Sequence, residues 1–466
     1  MRYWKAVGGE NYIFPNGKSR QLTNSRISKE DQMKGILKKG FVIASLLAFA
    51  LTTVNCKEDK DDNSAALLAL LLLQETPIAG SSLCDGVGVA APTQTLSGDI
   101  TSAITVTGSA KLTGTVNVTN GGSLTISPGS VIFAERGSSL FIYENGTLSA
   151  VGTATKPICF TSSTAVGSRA PGDWGGIVVI GNGGTSRGGG TSNTEGTTPR
   201  TYPATQDSKA NLKYVIVEFV GNEVAVGNEL NGVSSYAVNK SNSSYDYVQI
   251  HRGLDDGFEW WGGDVGGTHL LVTGGMDDDF DMDEGFTGTL TNIIGVKYPN
   301  SCGGTVSTDP HGFEMDGSHT NGVASTRYTN PTVTNFTTIG QDIAAGQGMR
   351  LREGMTGSFS KGLVYNYVTN NFVCTTNAGG GAATNPVAWS EVKGETGKTF
   401  TQGVCTNLTD NTELTSLPIE TLGNIETCGT GDTVPDFTSK AAYATLGGAP
   451  VAGGKWWLSW AVFRSK

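Results

Sequence analysis

Between residues 245 and 286 the chain repeats itself. Phe258 recurs as Phe280, and Val248 as Leu270, each 22 residues on. Both copies read as an apolar stretch (247–250, then 269–272) followed by an aromatic and acidic one (257–261, then 279–283). A period of roughly 20–50 residues marks a stacked repeat architecture, because one unit cannot bury its own apolar face. Upstream, 122–133 is echoed by 146–160, which sets Leu124 against Leu148 and Ile132 against Ile158. Downstream the apolar stretch returns at 290–296, 332–336 and 359–364. Each unit holds two or three short strands with Gly, Pro or Asn at the corners. That is the length of one coil of a parallel β-helix, whose strands pair about 4.8 Å above and below. The predicted fold is all-β, a solenoid with long loop insertions.

Composition agrees. Of 466 residues 66 are Gly, and charged residues are 16%, below the roughly 25% of ordinary soluble domains. Abundant Gly, Thr, Ser, Asn and Val disfavour helices and suit short strands and tight turns. A solenoid grows in one dimension, so one domain absorbs the length. The net charge of −10, with no basic stripe, argues against nucleic acid as a partner.

The N-terminus reads as an address. Met33-Lys-Gly-Ile-Leu-Lys-Lys-Gly is a basic region, 41–51 is an apolar run of 11 residues, and a short polar stretch ends in Cys56. The run is shorter than the about 20 residues a membrane span needs and suits a secretory signal. The expected organisation is a mis-called extension over 1–32, a signal over 33–55, a tether with a short apolar segment (65–73) over 56–94, and one β-helix domain over 95–466. The remaining cysteines are Cys84, Cys159, Cys302, Cys374, Cys405 and Cys428. Six cysteines allow 15 pairings. Pairing among Cys374, Cys405 and Cys428 would staple the late loops, buried free thiols being the alternative.

Within the solenoid, a polar insertion runs from about 183 to 209, residues 376–435 read mostly as loop, and the aromatic stretch 453–463 is expected to cover the final coil. Several pieces carry a resemblance: Trp174-Gly-Gly-Ile-Val-Val-Ile-Gly-Asn182, Gly227-Asn-Glu-Leu-Asn-Gly232, Asp255-Asp-Gly-Phe-Glu-Trp-Trp-Gly-Gly263, the acidic stretch 277–285, and Trp456 with Trp460. Over about 95–463 the chain resembles secreted or lipid-anchored β-helix proteins of spirochaetes and Bacteroidetes. The resemblance implies a right-handed parallel β-helix and export, and no activity. Cys56 after the apolar run similarly resembles a bacterial lipoprotein signal, although Thr53 and Asn55 stand where Leu and a small residue are usual. It implies lipidation at Cys56 and an outer-membrane location.

Alternation along the strands sends Phe258, Trp260, Phe280, Met282, Phe313, Met315, Met349 and Leu351 inward. One outward row is then Glu259, Asp281, Glu314 and Arg350, and the next is Trp261, Asp283, Asp316 and Arg352. Stacked like charges about 5 Å apart repel, and three offsets are open. Asp279, Asp281 and Asp283 are hard oxygen ligands suited to Ca²⁺, although Gly285 and Leu290 depart from an EF-hand loop. The Arg350 and Arg352 pair could form a charge network, or solvation could suffice. The leading expectation is an envelope lipoprotein with a binding or structural role, contacting host matrix, a glycan or an envelope partner, with Trp261, Glu259, Asp316 and Arg352 as the candidate ligand-binding residues. The alternative is a polysaccharide lyase or glycoside hydrolase using Asp281, Asp283, Glu314 and Arg350. His251 is expected to be a structural partner of Asp255.

Overall fold

The computed structural model describes residues 80–464, apart from 188–189, 226, 304–305, 319–326, 369, 375–386, 402–411, 429–432 and 445–453. The expected extension, signal, Cys56, segment 65–73 and Cys405 lie outside the described residues. Among the described residues no helix is long and apolar enough to cross a membrane.

From Gln94 the chain winds as a right-handed parallel β-helix in which three parallel ladders form the faces. The first ladder stacks Val131–Ala134, Ile158–Ser162, 215–218, 248–251, 270–273, 293–296, 336–339 and 362–365. The second stacks Ser139–Ile142, Ile177–Ile180, Val233–Tyr236, Phe258–Trp261, Phe280–Asp283, His311–Asp316, Gln347–Arg352 and Asn370–Cys374. The third stacks Ser123–Ile126, Thr147–Val151, 209–213, 244–246, 267–268, 289–291, 332–334 and 357–360.

Alternation fills the interior as expected. Phe258, Trp260, Phe280, Met282, Phe313, Met315 and Met349 are fully buried. Phe258 stacks on Phe280 at 6.0 Å between ring centroids, and Phe280 on Phe313 at 5.2 Å. From the coil of Tyr214 onward, one residue turns the third ladder into the first. These residues all hold positive φ: Tyr214 (48°), Tyr247 (55°), His269 (54°), Asn292 (57°), Asn335 (60°), Lys361 (54°) and Glu391 (57°). For a non-Gly residue this conformation costs roughly 1–2 kcal/mol. Stacking along the corner offsets part of it: Tyr214 lies on Tyr247 at 4.4 Å, Tyr247 on His269 at 4.1 Å, and Asn335 donates to Asn292.

Several expectations are corrected. Ile132 pairs with Phe160 rather than Ile158, because turn lengths vary in the early coils and the period is not yet regular. The coils continue past 376: Val387–Glu395 pairs with Gly357–Tyr365, and Thr399–Thr401 with Asn370–Cys374. The C-terminal aromatics do not cover the final coil. Trp456, Trp457 and Trp460 pack against the outer side of the first ladder, with Ile216, Leu271 and Ile294. Those outward residues are apolar, so that face needs cover.

The terminal strap is read by side chains. The Gln249 amide donates to Val462 O at 2.7 Å and accepts from Val462 N at 2.8 Å. Arg464 donates to both oxygens of the buried Glu218 at 2.9 Å, where Arg169 also binds at 3.2 Å. His251 bonds Thr273 Oγ1 and the Arg464 carbonyl, each at 2.7 Å, rather than Asp255. Burial pushes it down to about 3, so it stays neutral. Disulfides join Cys84 to Cys159 and Cys302 to Cys428, and Cys374 is disulfide-bonded. Cys428 therefore ties the late segment back to the middle coils, not to Cys374 or Cys405.

Candidate functional site: an acidic edge

The outward side of the second ladder places the expected rows in register. Glu259 faces Asp281, Asp281 faces Glu314, and Glu314 faces Arg350; beside them Trp261 faces Asp283, and Asp316 faces Arg352. Upstream the same rows are Val178 and Ser234, and Ile180 and Tyr236. The surface therefore changes from apolar to acidic at Glu259.

The apolar end is covered. The insertion after Ile180 folds back with its own hairpin, Ser192–Asn193 against Thr201–Tyr202. It is pinned by Glu284, which accepts from the Tyr202 hydroxyl at 3.0 Å and pairs with Arg187. Under it Trp261 stacks flat on Tyr236, 4.0 Å between centroids and 5° between planes. Trp261 is 8% exposed, so the expected exposed platform for a sugar ring is absent.

The expected cation trio is also revised. Asp279 turns away and forms a buried pair with Lys297 at 2.9 Å, because it precedes the strand and escapes its alternation. Asp283 is buried and accepts the backbone N–H of Glu284. Of the three, Asp281 alone falls in the clusters of converging ligand atoms found among the described residues. Its carboxylate converges with those of Asp256 and Glu259 on one side, and with those of Asp278 and Glu314 on the other; each set of ligand atoms lies within 4.8 Å. A neighbouring group joins Asp255, Asp256 and Asp277. Asp255, Asp256, Asp277 and Asp278 sit at the corner leading into the second ladder and were not among the candidate ligands read from the sequence. Their signal was the doubled Asp before each repeated strand, at 255–256 and 277–278.

Burial and crowding act together on these carboxyls. Desolvation, reinforced by neighbouring carboxylates, pushes Asp255, Asp256, Glu259, Asp278 and Asp281 well above the ordinary carboxylate range. Burial lifts Asp277 to about 6 and Glu195, on the insertion, to about 7. Glu314 also rises to about 7, through burial opposed by Arg352 and Arg350 and reinforced by Asp316. Local contacts hold the corner in place: Asp256 Oδ1 accepts the N–H of Asp278 at 2.9 Å, Asp278 accepts the N–H of His311, and Glu259 accepts from Asn231.

The basic end is already paired. Arg350 Nη1 lies 2.6 Å from Asp309, 3.3 Å from Glu314 and 3.1 Å from His311 Nε2. Arg352 grips both oxygens of Asp316 at 2.7 Å and reaches Glu314 at 2.7 Å. The charge network and the cation-type clusters thus coexist, on opposite sides of Glu314. Oxygen-only donors at this spacing suit a hard divalent cation such as Ca²⁺, which would relieve the repulsion.

Residues 98–443 match the family model of a pectate-lyase-like β-helix domain. No curated protein and no solved structure matches the chain.

Proposed function

The chain belongs to the pectate-lyase-like β-helix domain family, and from that premise we propose an exported bacterial protein that binds an anionic glycan through a cation held on its acidic edge. The observation that carries the reading is the double convergence at Asp281, with Asp256 and Glu259 on one side and Asp278 and Glu314 on the other. Crowded, desolvated carboxylates gain most from a divalent ion. An ion held there would supply a positive charge to which the carboxylates of an acidic polysaccharide could bind. In this reading Asp281, Glu259, Asp256, Asp278 and Glu314 hold the ion, and Asp316, Arg350 and Arg352 frame one wall.

Binding is favoured over cleavage because both arginines are already engaged by carboxylates. Burial works against the charge of Arg352, and Asp316 with Glu314 outweighs it, so it is ill placed to accept a proton. Export is supported by the disulfides, which persist in oxidising compartments. Anchoring in the outer membrane by a lipid on Cys56 completes the proposal, resting on the signal-like sequence around it.

Calorimetry with Ca²⁺ tests the site, followed by polygalacturonate binding with and without chelator. Saturable Ca²⁺ binding that Asp281→Asn abolishes, with glycan retention that follows it, is the expected result. Ca²⁺ binding unchanged in Asp281→Asn sinks the assignment. Release of unsaturated uronates, seen as rising ultraviolet absorbance, would replace the binding reading with the lyase. Palmitate labelling that persists in Cys56→Ser would refute the anchor.

A further inference from the structure

Behind the acidic edge lies a buried amine that the proposed function does not use. Lys297 follows the strand Thr289–Val296, and Asp279 precedes Phe280–Asp283 one coil earlier. Lys297 Nζ lies 2.9 Å from Asp279 Oδ1, and the two side chains are 1% and 0% exposed. Nζ also donates to the carbonyl of Asp277. Gly295 makes the room: a Cβ there would overlap the Asp279 carboxylate. Asp279 Oδ2 is buried and has no hydrogen-bond partner among the described residues.

We propose that Lys297 and Asp279 condense into an intramolecular isopeptide bond, Nζ to Cγ, joining successive coils. A proton passes from the ammonium to the carboxylate, giving a neutral amine and a neutral acid. The amine lone pair forms the N–C bond at Cγ. One Cγ–O bond then breaks, and that oxygen leaves as water with the surplus proton from nitrogen. No oxidant, metal or cofactor enters the balance.

Two observations support the step. The reactants are held in contact without solvent, which replaces a bimolecular encounter with a positioned one. The product also suits the site better than the reactants. The amide keeps one N–H, for which the Asp277 carbonyl is in place. Loss of one oxygen can remove the orphaned acceptor, whose burial is unfavourable. A neutral amide replaces an ion pair carrying a desolvation penalty. The cross-link would tie the corner bearing Asp277 and Asp278 to the next coil, against the repulsion gathered there.

Peptide mapping of the reduced, alkylated, folded protein tests the assignment. The expected product is the tryptic peptide 253–327, uncleaved after Lys297, closed into a loop between Asp279 and Lys297 and lighter than its linear mass by one water. In Asp279→Asn the same closed peptide should form with loss of ammonia. Normal cleavage after Lys297, with peptides 253–297 and 298–327 at full linear mass in the wild-type protein, would overturn the proposal and leave a buried ion pair. Loss of water mapped instead to a succinimide at Asp256-Gly257 would do the same. Neither result depends on whether the acidic edge binds a cation.

Discussion

Glu218→Gln should release the C-terminal strap. Glu218 is fully buried, and its two oxygens receive Arg464 twice and Arg169 once. Both arginine side chains are nearly solvent-free, at 4% and 3% exposure, and Asp85 is the other carboxylate that both touch. Burial pushes the Glu218 carboxyl up, and Arg464 and Arg169 outweigh it and hold it below the ordinary range. Removing one partner of a buried ion pair costs about 3–5 kcal/mol, since the other charge stays buried. At about 1.4 kcal/mol per tenfold, opening of the strap should rise on the order of a hundredfold to a thousandfold. A solenoid lets that loss stay local, so the readout should be local too. Hydrogen exchange at Val462, whose N–H is held by Gln249, and protease sensitivity of 454–464 should both rise, with the middle coils unchanged. The sign with pH follows from the depressed folded value: the stabilisation is present above the unfolded carboxyl range, near 4.5, and fades as pH falls through the folded value. Wild-type protein should therefore lose strap protection in acid, and Glu218→Gln should show no such loss. Protection at Val462 changed by less than about threefold would refute the reasoning.

Other outcomes follow from the same structure. In chelator, the melting temperature should fall as pH rises from about 4 to about 7, because Asp277, Glu195 and Glu314 have raised folded values and their neutral forms favour the fold; Ca²⁺ should flatten that slope. Trp457→Ala removes a fully buried ring from the strap and should cost about 3–5 kcal/mol in denaturant titration. Lys361→Gly, at an exposed corner with φ 54°, should stabilise by about 0.5–1 kcal/mol, the relief of the left-handed backbone exceeding the entropy of Gly. A neutral or negative result there would mean that the Lys361 stem packs along the corner.

The parts of the molecule written in strand alternation were legible. The inward set from Phe258 to Leu351 and the outward row Glu259, Asp281, Glu314 and Arg350 follow from a period of two, and the structure keeps both. What escaped lies where alternation ends. Asp256 and Asp278 sit at turns whose geometry is set by neighbouring coils, so their approach to Asp281 is a tertiary fact. Asp279 reads as a strand residue by spacing but precedes the strand, and Lys297 captures it. Trp261 points outward as expected, yet the insertion that follows Ile180 covers it. The strap was hidden for a related reason. Ile216, Leu271 and Ile294 declare that their outward face needs cover, but nothing in them names the C-terminus. The left-handed corner was readable in retrospect, since Tyr214, Tyr247, His269, Asn292 and Asn335 each stand just before the first inward residue of the first ladder.

That corner has a bearing on how such a chain can change. One residue per coil leaves no slack, so a single insertion between the third and first ladders would shift a strand by one place and turn its core residues outward. Between Tyr214 and Glu391 the other two corners carry the length variation, including the segments 297–310 and 317–331. Both border the second ladder, where the carboxylates gather. Insertions and deletions are thereby directed to the rim of the acidic edge, and new ligand-facing loops can be tried there while the pitch of the coil stays fixed.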